Sequence, residues 1–206
     1  MKHLIHFLLI FSTINSFAQE NNGFDPKNWQ APYFLDTPRD WGTEHFGLPA
    51  AFAPSIRYKG VEDIRFTPGW GKKESTEYWT YGFLWYLDST ISLDAKTIEK
   101  NLSAYYTGLL HANLDTTKIT AARIKPAIVE IKKIKAANNA EQSFEGSVHT
   151  LDFLTWKPII LNIRLHRRTC SEQHKTFIFH EVSPKPFTDS VWEGLDALWL
   201  TLRCQK

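Results

Sequence analysis

Four strand-like segments follow one another between residues 127 and 183, joined by connections of only a few residues. They read AIVEIKKIKA, SFEGSVHTLDFLTW, IILNIRLHRR and KTFIFHEVS, with ANNAE, WKP and TCSEQ at the turns. A parallel pair needs a crossover of a dozen or more residues, so these neighbours are predicted to run antiparallel. In the third segment Ile159, Leu161, Ile163 and Leu165 share one parity, and Asn162, Arg164, His166 and Arg168 share the other. One face should therefore be core and the other polar. In the fourth segment Phe177 and Phe179 are expected toward the core, with Thr176 and His180 on the polar side. The second segment switches its apolar parity between Phe144/Val148 and Leu151/Phe153, which predicts a bulge near Thr150. Glu145, Ser147 and His149 then join the polar face, with Glu130 and Lys132 beside them.

Two further strands are expected before the meander. EDIRFTPGW is a short strand ended by Pro68-Gly69. STEYWTYGFLWYLDS follows as a longer one, pairing with it as a hairpin. Its odd positions Trp79, Tyr81, Phe83, Trp85 and Leu87 are apolar without a break, as a buried face requires. Gly82 removes a side chain in mid-strand, where another group can approach the backbone.

Two segments have helical spacing instead. Ile98, Leu102, Tyr105, Tyr106, Leu109 and Leu110 recur every three or four residues, with Ser92 or Asp94 as N-cap and Asn113 as the stop. Val191, Trp192, Leu195, Leu198, Trp199 and Leu202 form a second stripe, capped by Thr188 or Asp189. The predicted architecture is α+β: one antiparallel sheet in the order β-β-α-β-β-β-β-α, with both amphipathic helices on one face.

The chain before this unit has two parts. Residues 1–18 read as a signal peptide: Lys2, then the apolar LIHFLLIFSTI, then Ser16 and Ala18 before the expected cut. Residues 19–60 hold Pro26, Pro32, Pro38, Pro49 and Pro54, too many for a long helix or a central strand. Their interleaved aromatics argue for an extended arm packed on the α+β domain of residues 61–206. No later run reaches the roughly 20 apolar residues of a membrane helix, so no membrane insertion is expected after signal cleavage. The expected location is the periplasm or the cell exterior. There Cys170 and Cys204, the only cysteines, are expected to form one disulfide. A formal charge of +2 offers no electrostatic footprint for nucleic acid.

No phosphate loop, GxSxG elbow or dinucleotide fingerprint occurs, and no cofactor is expected. HRRTCSEQH spaces His166, Cys170 and His174 evenly, but a turn separates the histidines and Cys170 has a better partner in Cys204. No metal site is expected. The polar sheet face suggests a ligand site built from Arg164, His166, His180 and His149, with Tyr86 near it on the aromatic strand. Such a group suits a small anion held by charge-assisted hydrogen bonds. The leading expectation is a non-catalytic binding or accessory protein taking a small anionic or carbohydrate ligand. Two alternatives accompany it: a secreted polysaccharide hydrolase using Glu44, His45 and Asp63, and a carbohydrate-binding module using the tryptophans left off the buried faces, Trp29, Trp41, Trp70 and Trp156, of which Trp41 and Trp70 precede glycines in turns.

Overall fold

The meander forms as expected and makes up more than half of a seven-stranded antiparallel sheet. The computed structural model describes residues 24–205; the predicted signal peptide lies outside the described residues. The strands are β1 (Tyr33–Phe34), β2 (Gly42–Leu48), β3 (Gly60–Phe66), β4 (Tyr81–Leu87), β5 (Ile128–Ile134), β6 (Gln142–Asp152), β7 (Lys157–Cys170), β8 (Lys175–Ser183) and β9 (Arg203–Cys204). Helix α1 spans Ala95–Ala112 and α2 spans Val191–Thr201. The large sheet runs β2-β3-β4-β8-β7-β6-β5, so the last meander strand docks on the early hairpin. A second, two-stranded sheet pairs β1 with β9 and corrects the expectation of a single sheet. Both β1 and β2 come from the proline-rich segment. The stretch between Pro38 and Pro49 is free of proline, and β2 lies at a sheet edge, where flanking prolines cost no ladder bonds.

The helices take opposite faces, which corrects their expected placement on one. Helix α1 packs Ile98, Leu102 and Tyr105 against Phe83, Trp85, Ile163, Leu165 and Ile178. Helix α2 packs Leu198, Trp199 and the following Leu202 against Leu84, Tyr86, Phe177 and Phe179. The reason lies in the two central strands. Every residue of β4 is buried, on both parities, and β8 is buried from Thr176 to Ser183. Each large apolar side chain gains about 1.5–3 kcal/mol from leaving water, so both faces needed cover. Gly82 shows how close α2 comes: a Cβ there would meet Phe179 Cζ at 2.9 Å and Leu198 Cδ1 at 3.3 Å.

Two local details follow the chemistry at the element ends. Asp94 caps α1 by accepting from the Thr97 amide at 2.8 Å, and Asn113 closes it. The expected bulge near Thr150 does not form, because β6 pairs with β7 in unbroken register to Asp152. Phe153 lies in the turn beyond the strand. The parity switch therefore marks a turn, which Asp152 organises by accepting from the Leu154 amide, Tyr78 Oη and Trp79 Nε1.

Candidate functional site

Strand register brings the charged residues of β7 and β8 together beneath α2. Arg164 pairs directly with Glu181, and His166 with Phe179. Helix α2 adds Asp196 and Trp199 from above. Arg164 Nη1 donates to Asp196 Oδ1 at 2.7 Å and to Glu181 Oε2 at 3.4 Å. Its guanidinium also lies over the rings of Phe187 and Trp192, 5.1 and 5.2 Å from their centroids. His166 stacks on Trp199, and its Nδ1 meets Ser143 Oγ at 2.8 Å. Ser143 is held in turn by the Ala137 amide.

The other edge of His166 faces the acid. Nε2 sits 3.5 Å from Glu181 Oε1, and among the described residues neither atom makes a hydrogen bond. Both residues are buried, His166 at 1% and Glu181 at 0% exposure. Burial pushes the Glu181 carboxyl up from its ordinary value, against the opposing pull of His166 and Arg164. Asp196 forms the open side of the cluster, with its side chain 48% exposed.

The expected site residues divide among four places. Arg164 and His166 share the cluster just described. His180 is a correction: it projects to the opposite face, toward α1, and is fully buried with Thr176. Phe177 and Phe179 do face a core, but it is the core under α2, so their neighbours enter the other core rather than a polar surface. His149 shares the α2-side parity but stands beyond the helix, exposed between Ile128 and Ile160 on the neighbouring strands. Tyr86 lies under the arm, its ring tilted against those of Tyr33 and Phe177, and its hydroxyl donates to Gln173 Oε1 at 2.8 Å.

The hydrolase residues divide as well. His45 Nε2 meets Asp63 Oδ1 at 3.0 Å. Asp63 also accepts from Tyr33 Oη at 2.8 Å and from the Arg65 guanidinium. Trp29 packs on the His45 ring. Glu44 alternates to the other face of β2, the side where Phe46, Leu48 and Ile64 join the α1 core. Glu44 and the His45–Asp63 pair therefore cannot flank one bond. The tryptophans Trp29, Trp41, Trp70 and Trp156 are each half-buried. Trp70, for one, packs among Phe66, Trp79, Tyr81 and Phe153.

Sequence reasoning missed Glu181, Asp196 and Ser143. A signal for Glu181 existed: it shares the parity of Phe177 and Phe179, and an acid on an apolar parity needs a buried partner. A similar buried acid, Glu62, sits on the α1 side. It accepts from Trp85 Nε1 at 2.9 Å and from Tyr105 Oη, yet burial still pushes its carboxyl up to about 8. The predicted Cys170–Cys204 disulfide is formed. No helix among the described residues is long and apolar enough to cross a membrane. No protein-family model, curated protein or solved structure matches the chain.

Proposed function

We propose that the chain is an exported, non-catalytic binding protein whose ligand sits at the Arg164–His166–Glu181–Asp196 cluster. One observation carries this reading: two fully buried polar atoms, His166 Nε2 and Glu181 Oε1, face each other at 3.5 Å as an ion pair, with no hydrogen bond to either among the described residues, beneath a half-exposed carboxylate. An unpartnered buried polar atom costs about 1–3 kcal/mol, and a ligand that satisfies both atoms would recover that cost. The cluster holds two carboxylates against one guanidinium, so it suits a small anion less well than the strand alternation alone suggests. Export is supported by the apolar leader and by the paired cysteines, which persist in oxidising compartments.

The test is a thermal-shift screen of the mature chain with neutral oligosaccharides, small anions and divalent cations, repeated on Asp196→Asn. A stabilising compound whose effect disappears in the variant supports the site. A panel that leaves wild type unshifted, or shifts both proteins alike, rejects it. A second reading, hydrolysis, is favoured by the His45–Asp63 contact at 3.0 Å with the imidazole partly open to solvent. Polysaccharide hydrolysis by wild type, lost in His45→Ala, would establish that reading instead.

A further inference from the structure

We infer that His166, Glu181 and Asp196 form a binding site for one divalent first-row transition cation, and that the Arg164 guanidinium competes with it for the two carboxylates. The inference rests on the binding reading of this cluster and names its ligand. One ligand atom from each of the three residues can be chosen so that all lie within 4.8 Å of one another. His166 Nε2 and Glu181 Oε1, 3.5 Å apart, already have nearly the spacing of two ligands at roughly 2.0–2.2 Å around a tetrahedral ion. Only Asp196 has to close in, and its half-exposed side chain on α2 must give up its 2.7 Å bond to Arg164 to do so.

The donor set is one imidazole and two carboxylates, which suits Zn2+ and its neighbours more than the oxygen-only cages of Ca2+ or Mg2+. The outer partners fit too. With Nε2 on the ion, Nδ1 carries the ring proton and donates to Ser143 Oγ, the arrangement that orients a metal-bound histidine. Trp199 fixes the ring plane from above. Arg164 is the opposing charge. Released from the acids, it keeps its seat over Phe187 and Trp192, so displacing it does not strand the guanidinium.

The experiment is equilibrium dialysis of the untagged mature chain with zinc chloride, with Co2+ absorption as a second readout. One ion per chain is expected in wild type, with a visible Co2+ spectrum of nitrogen and oxygen ligation. Asp196→Asn changes a half-exposed side chain, keeps an oxygen to which Arg164 can donate, and should weaken binding by at least about tenfold, a loss reached even for outer partners of metal sites. Arg164→Gln should bind more tightly; weaker binding there overturns the competition. No saturable binding, or binding untouched by Asp196→Asn, overturns the cation site. If an oligosaccharide or anion stabilises wild type but not Asp196→Asn while zinc does not bind, the cluster remains a ligand site and only its cation assignment fails.

Discussion

Phe83 and His180 lie ring on ring, with centroids 4.0 Å apart and planes 3° from parallel, at directly paired positions of β4 and β8. The imidazole is sealed under α1, where its Nδ1 meets the Phe83 carbonyl at 3.3 Å and Nε2 makes no hydrogen bond among the described residues. Trp85, Asn101 and Leu102 line a small cavity beside it.

Burial pushes the His180 pKa down from 6.5 to about 3. A folded-state value below the ordinary one means that the neutral ring's contribution is complete above about pH 6.5 and is lost as pH falls toward 3. His180→Leu removes the titration while keeping an apolar side chain. Between pH 6.5 and about pH 4, the variant should lose less melting temperature than wild type. Circular-dichroism melts across that range check it, and parallel slopes for the two proteins would count against a neutral buried ring.

Glu62 acts in the opposite direction. Its folded pKa of about 8 lies above the ordinary 4.5, chiefly through burial. Its contribution is therefore complete below about pH 4.5 and lost as pH rises through 8. Glu62→Gln copies the protonated acid: its carbonyl can accept from Trp85 Nε1, and its amide can donate to Tyr105 Oη. Wild type should lose on the order of 2–4 kcal/mol between about pH 5 and pH 9, and the variant should lose much less. Urea titrations at both pH values measure the difference. Equal losses would place the carboxyl in contact with water.

Gly82→Ala tests the seat of α2. The new Cβ would lie 2.9 Å from Phe179 Cζ and 3.3 Å from Leu198 Cδ1, closer than packed carbons sit. The phenyl tip can shift, but α2 must yield as well. Overpacking of this kind costs about 1–3 kcal/mol. The urea midpoint should fall, and a neutral substitution would mean that α2 rides loosely on β4.

Much of this fold was legible because neighbouring residues declared it. The alternation of Leu161, Ile163 and Leu165 with Arg164 and His166 correctly divides the two faces of β7. Helix α1 runs from its Asp94 cap to Asn113 as spacing required. What misled was the assumption that a sheet in an α+β domain keeps one face in water. KTFIFHEVS is apolar on both parities, and FHEVS places His180 and Glu181 in opposite cores, where a charged or polar side chain reads as surface. The cluster beneath α2 joins residues as far apart as Ser143 and Asp196, and no local spacing announces it. Nearness in sequence groups Glu44 with His45 and Asp63 but hides the alternation of a strand, which brings His45 to Asp63 and turns Glu44 to the other face.

The disulfide makes a final prediction about the arm. Cys204 lies in β9 directly opposite Tyr33 of β1, and Tyr33 reaches inward to Asp63. The Cys170–Cys204 bond thus holds the end of β7 to β9, the ladder partner of the strand whose Tyr33 donates to Asp63. Gln173 reinforces the same junction, donating to the backbone of Pro32 and Gln205. With a sequence separation of 34, the closed loop is worth about 3–4 kcal/mol through chain entropy. Cys204→Ser should cost that much. It should also speed hydrogen exchange at Tyr33 and Phe34 more than in β4, because among the described residues β9 is the one ladder partner of β1. Mass analysis of the wild-type chain without reductant should find no free thiol. Equal exchange changes in β1 and β4 would show that the bond stabilises the whole domain and leaves the arm no looser than the rest.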